Sequence, residues 1–224
     1  MTEKTDMDDL LLSYATGGLD EALSLVVASH LTLSPENRAR VAEYEALGGA
    51  MIEEIEPVEL SESARDSVLA RLDEDDDASE AAPAAAPRPS EAALDGHALP
   101  APLRGYVGPD IGKLRWKRIM SGVREAEFPI GGERQRARLM WIDSGVAVPK
   151  HSHRGFEATL VLEGAYTDTT GLYDRGALQL ADAALDHQPT ATGDKACLCL
   201  VVTDAPIRLT GKLGRLLNPL IKYQ

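Results

Sequence analysis

This sequence has few cysteines and no long apolar runs. Cys197 and Cys199 are its only cysteines, and two residues that lie two apart on a strand face the same side, where they are poorly placed to bond to each other. We therefore expect a disulfide-free, cytoplasmic protein. No stretch reaches the roughly 18 consecutive apolar residues of a membrane-spanning helix. The N-terminus is acidic and has no apolar signal region, so we expect neither secretion nor membrane association.

Aromatic residues are scarce as well, and they are unevenly spread. Tyr14 and Tyr44 are the only ones before residue 100. Positive charge is rare in the same region. Residues 1–80 carry 21 Asp and Glu against 5 Lys and Arg, which gives a net charge of −16. Residues 81–224 carry 15 Asp and Glu against 18 Lys and Arg, which gives a net charge of +3. We therefore predict two regions with different cores, the first of which repels nucleic acid and attracts basic protein surfaces. An acidic surface that only keeps the protein soluble is the alternative.

Residues 1–76 predict a small all-α domain with four short helices. Acidic or capping residues followed by apolar residues three and four positions apart mark the helix starts, at Asp8, Asp20, Ser34 and Ser61. On the third helix, predicted over residues 35–54, the apolar stripe consists of Val41, Tyr44, Leu47 and Met51. The fourth helix follows a break at Pro57. Its narrow apolar face therefore predicts packing on a partner protein, with an ordinary helical bundle as the alternative.

Residues 77–104 are predicted to be a flexible linker. An acidic run over residues 73–77 cannot bury itself, and a segment rich in Pro and Ala follows at residues 82–89. Such a segment is semi-extended and typical of a tether between independently folded domains. His97 lies in the linker beside a glycine, and we assign it no role.

Residues 105–224 predict an all-β domain. Short apolar segments alternate with turns rich in Gly, Asp and Pro, and no helical period is sustained. Many short strands at near-regular spacing are typical of a β-sandwich or barrel. The six predicted strands span residues 116–120, 136–142, 158–162, 177–180, 196–202 and 207–209.

Two histidines and a carboxylate in one short stretch indicate a metal site. His151 and His153 are two apart, so their side chains point to the same face of a strand, and Glu157 returns to that face four residues later. His187 is the only other histidine of this domain. Neutral imidazoles and a carboxylate suit a divalent metal. The four residues could form a tetrahedral Zn²⁺ site, or leave two positions open on octahedral Fe²⁺, Mn²⁺ or Ni²⁺. The alternative is that these histidines are ordinary strand and loop residues.

The same residues resemble the two sequence motifs of the cupin family. The first motif is matched at Gly145, His151, His153, Glu157 and Gly164. The second motif is looser, and its frame is matched at Gly176, Asp182 and His187. Ala184 and Ala191 stand where that motif usually has Gly and Asn. The resemblance implies a cupin fold, the double-stranded β-helix or jelly roll, and one metal ion with four ligands: His151, His153, Glu157 and His187.

Nearly the whole chain resembles the ChrR family of anti-sigma factors, in which a small helical domain precedes a cupin. Three segments of the first region carry this resemblance, at residues 9–17, 28–31 and 67–72. The resemblance implies that the N-terminal helices sequester an extracytoplasmic-function-type sigma factor without binding nucleic acid directly. It also implies that the cupin metal site, foremost a zinc site, senses or transmits an oxidative signal.

One departure from the family concerns the zinc site of its helical domain, which is usually built from an early His and a His-x3-Cys-x2-Cys segment. His30 is present here, but Ser34 and Asn37 stand in place of the two cysteines, and Thr5 stands roughly in place of the early histidine. One imidazole and two neutral oxygen groups do not hold Zn²⁺ well. We therefore expect no zinc in the N-terminal domain and predict that His30 is a packed or capping residue.

An enzyme is the second hypothesis, and we favour a regulator over it. A cupin dioxygenase or lyase acting on a small molecule would use the same four residues with an open metal position. Glu163 and Tyr166 would then be its proton-transfer groups, although we expect a structural role for both. A third hypothesis is a cupin binding module whose helices bind nothing. The oligomeric state is left open between a monomer and a homodimer through the cupin domain.

Overall fold

The computed structural model describes residues 6–78, 99–130, 135–211 and 218. The four predicted helices are present as α1 (Met7–Ala15), α2 (Glu21–Leu33), α3 (Pro35–Glu53) and α4 (Ala64–Ala78). Two predicted caps form: Asp20 Oδ1 accepts a hydrogen bond from the Leu23 amide at 3.0 Å, and Ser34 Oγ accepts one from the Asn37 amide at 3.4 Å. Pro35 lies in the first turn of α3, where the helix needs no N–H.

The described residues also form a helix, α5 (Ala101–Val107), in the region predicted to be linker. Leu103 is fully buried on this helix, and Leu99, just before it, is also buried. Seven residues are too few to show a helical period in a sequence, and prolines such as Pro100 and Pro102 fit the start of a helix as well as they fit a linker. The end of the predicted linker is therefore part of the fold, while residues 79–98 lie outside the described residues.

The described part of the C-terminal region is all-β, as predicted. Its strands form one six-stranded sheet in the order β1-β2-β3-β11-β5-β8 and two three-stranded sheets, β10-β6-β7 and β12-β4-β9, with antiparallel neighbours throughout. We refer to the three sheets together as the barrel. The strands are β1 (Lys117–Met120), β2 (Val123–Phe128), β3 (Arg136–Ile142), β4 (His151–His153), β5 (Glu157–Glu163), β6 (Ala165–Asp168), β7 (Gly171–Asp174), β8 (Leu178–Ala181), β9 (Asp186–His187), β10 (Thr190–Thr192), β11 (Cys197–Thr203) and β12 (Ile207–Leu209).

The six predicted strands are confirmed as β1, β3, β5, β8, β11 and β12, to within one residue at each end. The strands that sequence analysis missed are short or polar, such as β9 with two residues and β10 with three. Such segments carry too few apolar positions to show an alternating pattern. Their neighbours in the sheets, and not their own sequence, make them strands.

Strand β11 lies at the centre of the six-stranded sheet, and all seven of its residues are buried. Cys197, Cys199 and Val201 pack into a cluster inside the barrel with residues such as Val161. The alternate residues, among them Leu200, belong to a second cluster on the outer face of the sheet. A strand that is buried on both faces reads as a continuous apolar run, which is why this segment shows no polar alternation.

The outer face of that sheet and the N-terminal helices share one core. Leu11 of α1, Val26 of α2, Leu103 of α5 and Leu160 and Leu200 of the sheet belong to a single cluster and are each fully buried. The prediction of two different cores is therefore wrong. Aromatic content distinguishes the two regions by composition, but it cannot show that the outer face of the sheet is covered by a helix. No helix of the described residues is both long enough and apolar enough to span a membrane.

The second half of α3 projects away from this core. Val41 is buried and Tyr44 packs against the core, as the predicted apolar stripe requires. Leu47 and Met51, on the same predicted stripe, are 61% and 63% exposed. The second half of the predicted stripe is thus left largely exposed, because helical spacing identifies an apolar face but not whether another element packs on it.

Candidate metal centre

Strands β4, β5 and β9 bring the four predicted ligands together. His151 lies directly opposite His187 in the pairing of β4 with β9, His153 ends β4, and Glu157 begins β5. All four side chains are buried, and one potential ligand atom of each lies within 4.8 Å of the others. This group of four residues could hold a metal ion. The alternative of ordinary surface histidines does not fit their burial.

The hydrogen bonds of the imidazoles direct their other nitrogens at one another. His151 Nδ1 donates to the carbonyl oxygen of Pro149 at 2.7 Å, and His187 Nδ1 donates to Asp168 Oδ2 at 2.6 Å. The Nε2 atoms of both rings are thereby left with lone pairs. His187 Nε2 nevertheless lies 3.2 Å from His151 Nε2 and 3.1 Å from His153 Nε2. Lone pairs that converge in this way repel one another unless a cation lies between them, so the donor set fits a divalent metal.

The electrostatics of the site keep His151 and His153 neutral and Glu157 ionised. Burial lowers the pKa of His151, and it lowers the pKa of His153 to about 4. Burial raises the pKa of Glu157, but charge interactions with His153 and Arg138 outweigh it, so this pKa lies below its ordinary value. Glu157 Oε2 lies 3.8 Å from both His153 Nδ1 and Arg138 Nη2. Neutral imidazoles and an anionic carboxylate are the protonation states that bind a metal at neutral pH.

Residues outside the group of four hold the His187 side chain in place. Asp168 Oδ2 accepts hydrogen bonds from His187 Nδ1 and, at 2.8 Å, from Gln179 Nε2. Its Oδ1 atom accepts from the amide and hydroxyl of Thr170 at 2.7 and 2.6 Å. Burial raises the pKa of Asp168, but these hydrogen bonds, with that of Gln179 the largest, bring it down to about 2. The side chain is thus a buried carboxylate that fixes the ring orientation of His187.

Sequence analysis missed Asp168 and Gln179. Asp168 precedes Thr-Thr-Gly, a composition that indicates a turn. Gln179 lies between two leucines, which is the alternation of an ordinary half-exposed strand. The signal that could have identified Gln179 is a polar residue within a buried strand. Whether this strand is buried, however, is visible only in the structure.

A small cavity of about 60 Å³ adjoins His151 and Glu157 inside the barrel. Its walls are mostly apolar, and Cys199 and Tyr166 also line it. The Tyr166 hydroxyl donates to Gln179 Oε1 at 2.8 Å, and burial raises the pKa of Tyr166 above its ordinary value. A role of Tyr166 in structure, which sequence analysis favoured over proton transfer, agrees with these contacts. Glu163 lies at the far end of β5 from Glu157 and outside the group of four.

The two cysteines point into the barrel from the same face of β11, as predicted. Cys197 Sγ and Cys199 Sγ lie 3.5 Å apart, and both residues are free thiols that are buried. The hydrogen bond with Cys197, followed by burial, raises the pKa of Cys199 well above its ordinary value. Cys199 is therefore held as a thiol and not as a reactive thiolate at neutral pH.

His30 is a packed residue, as predicted, and its contacts reach the barrel. The ring is 4% exposed at the end of α2. Its Nδ1 atom donates to the carbonyl oxygen of Gly176 at 2.9 Å, and its Nε2 atom accepts from Asn37 Nδ2 at 2.7 Å. Burial lowers the pKa of His30, although the bond to Gly176 partly offsets this. Ser34 caps α3, and Thr5 lies outside the described residues.

Comparison with known proteins identifies the family. The ChrR cupin-like domain matches residues 106–206, which include most of the barrel and the four clustered residues. The anti-sigma-E factor ChrR of Cereibacter sphaeroides is 45% identical over 215 residues, which cover 96% of this chain and 96% of that protein. The chain belongs to the ChrR family. A second match to the ChrR family is a crystal structure of Rhodobacter sphaeroides SigE in complex with the anti-sigma ChrR. That match has a TM-score of 0.73 and 42% identity, and it covers 90% of this chain and 99% of that chain.

Family membership confirms the predicted order of a helical region followed by a cupin, since the match to ChrR is nearly end to end. The hypothesis of a cupin dioxygenase or lyase is not favoured, because both of these matches, which cover 90% or more of the chain, are named as the anti-sigma factor ChrR.

Proposed function

We propose that this protein is an anti-sigma factor that sequesters an extracytoplasmic-function-type sigma factor through its N-terminal helices. The observation that carries the proposal is an exposed apolar segment over residues 47–69, at the end of α3, in the loop that follows and in α4. Its large apolar side chains are between 46% and 85% exposed: Leu47, Met51, Ile52, Ile55, Val58, Leu60, Val68 and Leu69. So many large apolar side chains left exposed within one segment indicate a protein-binding site. The related ChrR was crystallised with the sigma factor SigE.

The charge around this segment indicates the chemistry of its partner. Exposed acidic side chains alternate with the apolar ones, at Glu43, Glu45, Glu53, Glu54, Glu56, Glu59, Glu62 and Asp66. An apolar surface with an acidic rim fits a partner with a basic, partly apolar surface, and like charge disfavours nucleic acid. A DNA-binding protein such as a sigma factor needs basic surface to contact phosphates, so the helices would bind that protein and not the DNA.

The metal centre is the proposed sensor, with zinc as the ion in the resting protein. Three imidazoles and one carboxylate complete the coordination of Zn²⁺ without adding redox chemistry of the metal. The oxidisable groups of the site are the imidazoles themselves, since Cys199, which lines the same cavity as His151 and Glu157, is held as a thiol. A reactive oxygen species such as singlet oxygen, which adds to an imidazole ring, would remove a metal ligand, loosen the barrel and release the sigma factor in the cytoplasm.

Binding of a purified sigma factor to the full chain tests the proposal. We expect isothermal titration calorimetry to give a one-to-one complex, and in vitro transcription by the sigma factor to fall as the chain is added. Ile52→Asp and Ile55→Asp should each weaken binding by about tenfold or more, since a charge in the centre of an interface costs over 1 kcal/mol. Leu172→Asp is the matched control, because Leu172 is an apolar residue of the barrel that is also 67% exposed.

The proposal fails if the chain forms no complex with any extracytoplasmic-function-type sigma factor of its own cell. It also fails if Leu172→Asp weakens binding as much as the two helical variants do, because the exposed apolar segment would then not be the binding surface.

A further inference from the structure

A chain of buried polar contacts runs from the metal centre to strand β8. Asp168 Oδ2 lies 2.6 Å from His187 Nδ1 and 2.8 Å from Gln179 Nε2. The other end of the Gln179 amide, Oε1, accepts from the Tyr166 hydroxyl at 2.8 Å. Gln179 and Tyr166 are 4% and 1% exposed. Each of these polar groups therefore depends on its neighbours, because a buried polar group without a partner is costly.

Gln179 is three residues from the turn on which α2 is docked. The Gly176 amide donates a hydrogen bond to the Val161 carbonyl oxygen of β5 at 2.9 Å. The Gly176 carbonyl oxygen accepts a hydrogen bond from His30 Nδ1. Its φ is +92°, and a Cβ atom added there would lie 3.2 Å from Leu33 Cβ. The C-terminal end of α2 thus packs closely on this turn and is hydrogen-bonded to it. The turn continues directly into β8, which holds Gln179.

We propose that Asp168 and Gln179 are positioning residues that couple the orientation of His187 to the docking of α2 on the barrel. Metal binding fixes the His187 ring, the ring fixes Asp168, and Asp168 with Gln179 fixes the start of β8 and the turn at Gly176. Binding of the metal therefore tightens the packing of the N-terminal helices. The inference rests on the proposed function in one respect: the same helices that dock on the barrel carry the surface proposed to bind the sigma factor.

Hydrogen exchange of the full chain, with and without one equivalent of Zn²⁺, tests the coupling directly. In the wild-type protein we expect Zn²⁺ to slow exchange at the C-terminal end of α2 by about fivefold or more, together with exchange in β4 and β9. Gln179→Met keeps the side-chain length but removes the amide. We expect this variant to bind Zn²⁺ and to keep the protection in β4 and β9, while the protection in α2 is lost.

His30→Leu removes the hydrogen bond at the helical end and changes no side chain of the barrel, so it replaces Gln179→Met if that variant does not fold. His30 Nδ1 donates to the Gly176 carbonyl oxygen, and the loss of this bond should also abolish the Zn²⁺-dependent protection of α2. Wild-type protein that binds Zn²⁺ with unchanged exchange in α2 overturns the proposal. The sigma-factor titration is a separate measurement, so this result leaves the proposed function standing.

A spectroscopic signature distinguishes positioning from simple support of the fold. In the Co²⁺-substituted protein, we expect Asp168→Asn to shift the visible absorption bands, because a neutral amide makes His187 a weaker donor to the metal. Asp174→Asn is the matched control, since Asp174 is an exposed aspartate on the adjacent strand β7. Identical spectra for the wild-type protein and Asp168→Asn would overturn the assignment of Asp168.

Discussion

The Nδ1 atom of His30 lies 2.9 Å from the carbonyl oxygen of Gly176, across 146 positions of the sequence. This buried hydrogen bond joins the second helix to a turn of the barrel. It replaces the picture of two domains connected only by a tether, because the helices and the outer face of the six-stranded sheet also share one apolar core. A change in the barrel can therefore reach the helices through direct contacts.

The shared core predicts that the helices and the barrel unfold together. Leu200→Ala should lower the free energy of unfolding by about 2–5 kcal/mol, since Leu200 is fully buried in the cluster that joins them. Helical circular dichroism and the fluorescence of Trp116 and Trp141, both in the barrel region, should change at the same urea concentration. Leu60→Ala, at an 82% exposed position, is the control. Two separate transitions in the wild-type protein would contradict a single cooperative unit.

The close packing of Leu33 on Gly176 predicts a specific cost for a side chain there. Gly176→Ala should destabilise the protein more than Gly193→Ala does. Both glycines have positive φ values, +92° and +83°, so both variants incur the strain of about 1–2 kcal/mol for a left-handed conformation. Only at Gly176 does the new Cβ also approach another side chain, whereas nothing lies within 4 Å at Gly193. Urea unfolding measures the difference, and equal losses would show that the contact with Leu33 is not tight.

The burial of His30 predicts how stability depends on pH. Its pKa in the folded protein is below the ordinary value, whereas in the unfolded chain it is about 6.5. The unfolded chain therefore takes up a proton that the folded protein resists, so the stabilisation from neutral His30 is present above about pH 6.5 and lost progressively below it. His30→Gln cannot titrate and should lose less stability between pH 7.5 and 5.5. Both proteins are compared by urea unfolding in the presence of a chelator, and identical pH slopes would contradict the prediction.

The four clustered residues predict a single metal per chain. Elemental analysis of the purified full-length protein should find about one equivalent of zinc. His187→Ala should lose the zinc, because only two imidazoles and a carboxylate remain. The missing ring is the one whose Nε2 atom faces those of both His151 and His153. His30→Gln should retain one equivalent, which makes it the control for a second site. Two equivalents in the wild-type protein, falling to one in His30→Gln, would show that the N-terminal helices bind zinc despite Ser34 and Asn37.

The sequence by itself determined the features that depend on local spacing. Four helices followed from caps and acidic residues, and six strands followed from apolar runs, because these signals act over a few residues. The four clustered residues were also predictable. His151, His153 and Glu157 occupy one short stretch whose alternation places them on one face, and His187 is the only other histidine of the β region.

Only the tertiary structure decided what covers each apolar face and which partner each buried polar group finds. The outer face of β11 is covered by helices, the second half of α3 is left uncovered, and Asp168 meets His187 and Gln179. Periodicity states that a face is apolar, but the element that packs on it can be more than a hundred residues away. The link between the metal centre and the helices is of this second kind, since His30 and Gly176 become neighbours only when the chain folds.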